Sequence, residues 1–208
     1  MRLWMNFFYT LVRPLMATAG YVRTDTAEDA VSSFEVAFDF YARALADDRY
    51  WKWFVVAVHA GIQGTFALAL DGGNGLLVQK PGVTKATLAA YEQGSEVPES
   101  HMDNFMRLYR KLHAKENLRS ASAQPLPESP ENELALEELN SFRDGFIHFN
   151  TKSWSIERAL IETRVRGSLK VAQFLLVENE AVLWYEDSLK ERAHGALKNL
   201  SEQLGAET

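Results

Sequence analysis

Apolar residues recur along much of this chain at the spacing of three and four positions that places side chains on one face of an α-helix. The clearest stripe is formed by Val31, Phe34, Phe38, Tyr41 and Leu45. Just before it, Thr26-Ala27-Glu28-Asp29 has the form of a capping box, in which a hydroxyl side chain satisfies free backbone N–H groups. We therefore predict a helix from Thr26 to about Ala46.

The next segment, Tyr50 to Leu70, is almost continuously apolar and ends at the turn-forming run Asp71 to Gly75. Its length approaches that of a membrane span. It also contains His59, and the chain has no second apolar segment whose polar groups could pair with it inside a bilayer. We predict a buried central helix in preference to a membrane segment.

Further helices are predicted on either side of one long loop. The loop, Asn117 to Pro130, holds three prolines among serines and alanines. Ser129, Pro130 and Glu131 suit a helix start, because they supply a capping hydroxyl, a first-turn proline and an acidic group near the positive end of the helix dipole. The remaining predictions are a first helix around Phe7 to Leu15, a short extended piece at Leu76 to Val83, and helices at Thr84 to Tyr91, Ser100 to Lys115, Ser155 to Val177 and Glu180 to Leu204.

The overall pattern contains no alternation of apolar and polar residues long enough to predict a strand, and no internal repeat. It predicts an all-α fold, a bundle of about six to seven helices with one long proline-rich loop. At 208 residues the chain fits a single α-helical domain spanning residues 1–208. Within it we assign residues 1–20 to an N-terminal helical extension and residues 116–130 to a flexible loop.

Composition narrows the classes of partner and compartment. Hydrophobic residues make up 47% of the chain, and the net charge of −6 disfavours a broad basic surface that binds nucleic acid non-specifically. Cysteine is absent, which excludes disulfides and thiolate–zinc sites and is typical of a reducing cytoplasm. Arg13-Pro14 interrupts the first apolar run, so Met1 to Gly20 is not predicted to be a signal peptide. We expect a cytoplasmic protein that is not bound to a membrane.

Most familiar catalytic motifs are missing. Gly72 to Gly75 is not followed by the Lys-Ser or Lys-Thr of a phosphate-binding loop, and neither His-Glu-x-x-His nor Gly-x-Ser-x-Gly occurs. We therefore expect no metal and no cofactor. His59, placed mid-helix among apolar residues, is expected to be a satisfied core histidine.

The strongest candidate site is the run Arg143-Asp144-Gly145-Phe146-Ile147-His148, which lies inside an otherwise apolar segment. Arginine provides a permanent cation whose forked donors suit a phosphate, and histidine can exchange a proton near neutral pH. Together they suit phosphodiester cleavage. The spacing alone is a weak signal, because Arg107 and His113 nearly reproduce it on a face that we expect to be solvated.

Helical geometry adds a condition to this site. One buried stripe is predicted for Leu139, Phe142, Phe146 and Phe149. Arg143 and His148 stand about 140° apart around the axis of an ideal helix, so they cannot hold the same phosphate. A kink or helix end at Gly145 would bring them together, as would a symmetric partner with its own Arg and His. The structural alternative is a polar collar at the edges of a core helix.

Within an all-α chain, the run from Arg143 to His148 resembles the Arg-polar-x-x-x-His signature of the HEPN superfamily. The continuation from Phe149 to Glu157 is similar to an uncharacterised bacterial branch of that superfamily. The resemblance covers residues 143–157, and the predicted helices from Asp25 to Leu204 are compatible with it. Asparagine is more typical than aspartate at the second motif position, and neither the N-terminal helix nor the long loop belongs to the minimal family pattern.

The resemblance implies a bundle that dimerises along its motif helices, with the Arg and His of both subunits lining one cleft. It also implies a metal-independent endoribonuclease of the kind found in toxin–antitoxin, defence and stress-response systems. His148 would transfer the proton, Arg143 would hold the phosphate, and Asp144, four residues before the histidine, would orient the imidazole. The expected partners are RNA, a second copy of the chain, and an antitoxin or other regulatory protein.

Two other functions stay open at this point. In the first, the chain is a catalytically inactive HEPN-like dimer that binds nucleotides or RNA, or mediates protein interactions. In the second, aromatic residues line a pocket for a small ligand, although aromatic residues at helical spacing more often form core. The aromatic residues that would line this pocket are Trp51, Trp53, Phe54 and Phe66.

Overall fold

The computed structural model describes residues 21–118, 120–148, 153–179 and 181–205. Within these ranges the chain forms seven α-helices and no strand, so the predicted all-α bundle is confirmed. The helices are α1 (Thr26–Ala44), α2 (Trp51–Leu70), α3 (Pro81–Gln93), α4 (Phe105–Lys111), α5 (Pro130–Ile147), α6 (Arg158–Gln173) and α7 (Asp187–Gly205). Two 3₁₀ turns, Asp48–Tyr50 and Lys115–Asn117, and a π-helical turn, Phe174–Glu178, complete the helical segments of the described residues.

The central helix is α2, which packs against α1, α4, α5 and α6. Phe54, Ile62 and Phe66 on this helix are fully buried, as predicted for a core helix. With the preceding turn, α2 is the one helix of the described residues that is long and apolar enough to cross a membrane. In this fold, 61% of its most apolar window is buried inside the protein.

The helix that carries the candidate site, α5, is held mainly by α6 and α2. A Cβ on Gly167 of α6 would lie 2.7 Å from the Ala135 Cβ of α5, so the two helices approach more closely than a larger residue would permit. Tyr41 links α1 to α6 by donating its hydroxyl to Glu162 Oε1 at 2.9 Å. Burial, and then this bond to a carboxylate, raises the pKa of Tyr41 to about 12.

The positions of two helix starts differ from the prediction. Asp25, and not Thr26, caps α1, because its carboxylate accepts from the backbone N–H groups of Ala27 and Glu28. The predicted helix from Ser100 begins only at Phe105, with Asn104 as its cap. The residues before it are extended, since Gln79 and Met102 form an isolated antiparallel bridge. The extended piece predicted at Leu76 to Val83 is otherwise wrong, because Leu76 to Val78 form a turn and α3 already begins at Pro81.

The two final helices and the stripe of α1 are also shorter than predicted. α6 begins at Arg158 and α7 at Asp187. α1 ends at Ala44, and Leu45, which follows it, is exposed and does not continue the buried stripe. The first helix predicted around Phe7 to Leu15, together with the whole extension 1–20, lies outside the described residues.

The predicted long loop connects α4 to α5, and it contributes to the core. Ala123 and Leu126 are buried, and the Leu126 N–H donates to Leu112 O at 2.9 Å. His113 Nδ1 is 2.7 Å from Leu126 O. These contacts attach the second half of the loop to α4, while the expected flexibility of residues 116–130 stays a prediction.

Candidate functional site

The candidate site lies at the carboxyl end of α5. This helix starts as predicted, since Ser129 Oγ accepts from the Asn132 N–H at 3.3 Å and Pro130 occupies the first turn. Leu139 is fully buried, while Phe142 and Phe146 are partly buried and pack against the same core. The predicted stripe is therefore observed for these three residues, and its fourth member, Phe149, lies outside the described residues.

His148 is the residue at which α5 ends. Its backbone N–H still donates to Asp144 O at 2.9 Å, but its own φ and ψ of −83° and 107° are extended. The helix end predicted at Gly145 thus comes two residues later, after Ile147. The imidazole is exposed to solvent. Because His148 has left the helix, the angular separation of an ideal helix does not apply to Arg143 and His148.

Arg143 and Asp144 form an ion pair on the last turns of α5. The guanidinium Nη1 donates to Asp144 Oδ1 at 2.7 Å, and the two side chains are 34% and 43% exposed. Such a pair, open to water, stabilises a fold by no more than about 1 kcal/mol. It leaves part of the guanidinium accessible, and a phosphate would compete with the carboxylate for its donors.

The Asp144 carboxylate is directed to Arg143 and Asn140. Its second oxygen, Oδ2, is 3.5 Å from the Asn140 Nδ2 donor, one turn earlier on α5. Among the described residues, no hydrogen bond is formed between this carboxylate and the His148 imidazole. Three predicted site residues are thus brought to one helix end, with Arg143 and Asp144 in contact. The role of Asp144 in orienting His148 stays a prediction.

A fourth group reaches this cluster from the central helix. His59 Nε2 lies 2.9 Å from Asn140 Oδ1, and the two residues are 81 positions apart in the chain. His59 is buried, and its ring is stacked on Phe105 with centroids 4.3 Å apart and planes at 24°. It is therefore a satisfied core histidine, as predicted, but its partner is a residue of the candidate site.

The buried environment keeps the His59 ring neutral. Burial lowers the pKa of His59 to about 4, because the charged ring loses its hydration, and the nearby Arg143 cation acts in the same direction. The hydrogen bond to Asn140 and the Asp144 carboxylate oppose this shift. At neutral pH one ring nitrogen therefore carries a proton and the other does not.

Trp154 covers the other side of the helix end. Its indole packs against Phe146 with ring centroids 4.7 Å apart, and it closes over Gly145. Next to it, a cleft of about 320 Å³ is bordered by Trp51, Trp154 and Arg158. Trp51 has a buried indole N–H with no hydrogen-bond partner among the described residues. The alternative of an aromatic pocket for a small ligand does not agree with these positions, since Phe54 and Phe66 are core residues and Trp53 is exposed.

The second Arg–His spacing in the sequence does not form a comparable site. Arg107 on α4 is exposed and lies 3.6 Å from the Asp103 carboxylate. His113, beyond the end of α4, is tied to the loop carbonyl of Leu126 and stands edge-on to Tyr109. The solvated face predicted for Arg107 agrees with its exposure. Similar spacing in the sequence therefore gives two unlike environments.

Within the described ranges, no three His, Asp or Glu side chains are grouped so that they could hold a metal ion. Comparisons of the chain with family models, curated proteins and solved structures found no match. The described residues form an all-α bundle in which Arg143 and Asp144 are paired near the end of one helix and His148 is the residue at which that helix ends.

Asn140 is the site residue that sequence reasoning missed. A weak signal was present, because Asn140 precedes Asp144 by four positions and so occupies the same face of α5. No sequence pattern near Asn140 or His59 predicts the contact between them.

Proposed function

We propose that this protein is a metal-independent endoribonuclease of HEPN type that acts as a homodimer. The observation that carries the proposal is the placement of His148 beyond the end of α5, exposed, and five positions from a partly exposed Arg143. The two groups needed for phosphodiester cleavage are thus both open to a substrate at one helix end. The HEPN part of the proposal rests on the resemblance of residues 143–157 in the sequence to the motif of that superfamily.

The chemistry needs only groups of these two kinds, because RNA carries its own nucleophile in the ribose 2′-hydroxyl. His148 takes the hydroxyl proton as the oxygen attacks the adjacent phosphorus, and the 5′-oxygen of the next nucleotide leaves. Arg143 donates to the phosphate oxygens, whose negative charge grows in the transition state. The products are a 2′,3′-cyclic phosphate and a free 5′-hydroxyl.

A homodimer supplies the second proton-transfer group that this reaction uses. With two copies of the site facing one cleft, one imidazole accepts the hydroxyl proton and the other protonates the leaving oxygen. Exposed apolar side chains beside the motif, Ile147 and Trp154, support an interface at this end of α5. In the cell, such a ribonuclease would act in the cytoplasm as a toxin or as a component of a defence or stress response. An antitoxin or another regulatory protein would restrain it.

The test is cleavage of single-stranded RNA by the purified chain in the presence of EDTA. We expect cleavage with 5′-hydroxyl and cyclic-phosphate ends, and its loss in both Arg143→Ala and His148→Ala. Arg107→Ala and His101→Ala are matched controls, because each removes an exposed side chain of the same type elsewhere. Cleavage that persists in the two site variants, or its absence with every RNA tried, contradicts the proposal.

One observation favours the alternative of a catalytically inactive HEPN-like dimer that binds nucleotides, RNA or protein. The Arg143 cation is already paired with Asp144, which weakens its attraction for a phosphate. This alternative predicts a stable dimer that binds RNA or a protein partner and cleaves nothing. Binding with no cleavage, and with equal affinity in His148→Ala, would select it.

A further inference from the structure

A continuous series of polar contacts connects the core of the bundle to the candidate site. It starts at His59 on α2, passes through Asn140 and Asp144 on α5, and ends at the Arg143 guanidinium. The successive donor–acceptor distances are 2.9, 3.5 and 2.7 Å. The middle contact is the longest, so the two shorter contacts are the stronger ones.

The direction of every hydrogen bond in this series is fixed by the carboxylate. An ionised Asp144 only accepts, so both Arg143 and the Asn140 amide must present N–H groups to it. Asn140 then has its carbonyl oxygen turned toward α2, and only a protonated Nε2 of His59 can pair with that oxygen. The opposite tautomer of His59 would place two acceptors against each other. The neutral histidine in its Nε2–H form is thus the one that agrees with the whole series.

We infer that His59 is a positioning residue for the Arg143–Asp144 pair, which it controls by holding the side-chain amide of Asn140 in one orientation. The inference rests on the proposed function, since Arg143 is taken to hold the phosphate. It adds a residue from the central helix to a site whose other members come from α5.

The physical reason is that His59 and Arg143, at the two ends of this series of contacts, differ in mobility. His59 is buried and stacked on Phe105, so it has one ring position. Arg143 is a long, partly exposed side chain with many rotamers of its own. Without a donor at His59, the Asn140 oxygen loses its buried partner, and the Asn140 side chain is free to rotate away from α2 and from the Asp144 carboxylate. The ion pair then loses its fixed direction, and the phosphate clamp loses its fixed position.

Two substitutions separate the N–H donor from the ring. His59→Phe keeps an aromatic ring beside Phe105 and removes the donor, whereas His59→Gln removes the ring and keeps a neutral N–H donor. We expect His59→Phe to lower kcat for RNA cleavage by about 10- to 100-fold with little change in KM. His59→Gln should stay within a few-fold of the original chain. Circular dichroism tests whether both variants are folded, and His101→Phe, at an exposed histidine, serves as the control.

A measurement that does not use RNA tests the positioning directly. Nitrogen-15 NMR of the unaltered chain should show His59 as the neutral Nε2–H tautomer at pH 7. The Arg143 Nε–H signal, assigned by its loss in Arg143→Lys, should move in His59→Phe and stay in place in His59→Gln.

The outcomes distinguish this inference from the proposed function. If the unaltered chain cleaves no RNA, the proposed function fails, and the NMR signals alone decide whether His59 positions Arg143. An Nδ1–H tautomer, an unmoved Arg143 signal in His59→Phe, or equal losses of kcat in both His59 variants overturns the inference. Even if His59→Phe does not fold, an Nδ1–H tautomer in the unaltered chain overturns the inference, and so does a displaced Arg143 signal in His59→Gln.

Discussion

The Trp154 indole lies directly over Gly145, with its Cη2 atom 3.0 Å from the position that a Cβ on this glycine would take. The contact brings the residues after the motif back onto the last turn of α5. It also gives the glycine of the motif a packing role, because any larger residue meets the indole. Trp154 is 46% exposed, so its side chain has room to move outward.

We predict that Gly145→Ala displaces Trp154 with little change in stability. Alanine is favoured over glycine inside a helix by about 1 kcal/mol, and this gain offsets the cost of moving a half-exposed indole by a few tenths of an ångström. The expected result is an altered tryptophan emission spectrum with an unfolding free energy within about 1 kcal/mol of the original.

The control for this prediction uses Trp154→Phe, since the chain has 5 tryptophans and their signals overlap. In that background, Gly145→Ala should leave the emission spectrum unchanged. A spectral change of equal size in both backgrounds would show that the signal arises from another tryptophan and that Trp154 has not moved.

The depressed pKa of His59 predicts a specific loss of stability in acid. Its pKa is about 4 in the folded protein and 6.5 in the unfolded chain, so the unfolded chain binds more protons between these values. The free energy of unfolding therefore contains the full contribution of neutral His59 above about pH 6.5. It falls as the pH decreases toward 4, by on the order of 3 kcal/mol in total.

Urea unfolding at a series of pH values measures this effect. His59→Gln has no titrating group at this position, so the difference in unfolding free energy between it and the original chain should shrink as the pH falls from 6.5 to 4. A constant difference across this range would mean that His59 does not titrate abnormally.

Asp144→Asn is predicted to strengthen RNA binding by the proposed nuclease. Asparagine keeps an oxygen that accepts from Arg143, but it removes the negative charge that competes with phosphate for the guanidinium. We expect several-fold tighter binding at low salt and a steeper dependence of affinity on salt, by about 0.7 in slope for one additional phosphate contact on a single strand.

The matched control is Glu137→Gln, which makes the same change of charge on α5 at a residue paired with Arg110. Equal effects of the two substitutions would indicate a response to net charge alone. Fluorescence anisotropy of labelled single-stranded RNA at several salt concentrations provides both measurements.

The sequence predicts most of the fold because its signals are local. The stripe of α1, the apolar run of α2 and the proline at the start of α5 each depend on neighbours within a few positions. The helix caps were wrong where several capping residues stand together. Asp25 competes with Thr26, and Asn104 follows a segment that the bridge between Gln79 and Met102 keeps extended.

In the candidate site, too, the features that depend on nearby residues were predicted better than the contacts between distant ones. Arg143 and Asp144 were predicted as site residues, but their ion pair was not, because adjacent residues of a helix point in different directions and the sequence indicated His148 as the partner of Asp144. A helix end at Gly145 was one of the two conditions considered, and the helix ends two residues later, after Ile147. The contact of His59 with Asn140 joins residues 81 positions apart and depends on how α2 and α5 pack. No local pattern carries that information, because periodicity gives the buried face of a helix but not its partner.

The site helix should be sensitive to changes on its buried face only. Leu139→Ala removes a fully buried side chain four residues before Arg143, and we expect it to lower the unfolding free energy by about 2–5 kcal/mol. Leu134→Ala on the same helix is the control, because Leu134 is 44% exposed and should change stability by less than about 1 kcal/mol. Chemical denaturation measures both, and similar losses in the two variants would contradict the observed orientation of α5.

Arg192 connects α7 to α1, the last and the first helix of the described residues. This residue of α7 donates to both oxygens of Glu28 and to both oxygens of Glu35 on α1, at distances from 2.7 to 2.9 Å. The carboxylate of Glu35, and then that of Glu28, raises the pKa of the guanidinium above its ordinary value.

We expect Arg192→Met to destabilise the protein by about 1 kcal/mol, a modest effect because the side chain is 39% exposed and water screens its charge. Methionine retains much of the packing volume, so the loss reflects the ion pairs, and it should shrink in 1 M salt. Lys198→Met, on the same helix, removes a lysine that lies 3.9 Å from Glu202 in an exposed pair and should have almost no effect. Thermal unfolding at low and high salt compares the two variants, and a loss for Arg192→Met that does not depend on salt would indicate that packing holds α7 to α1.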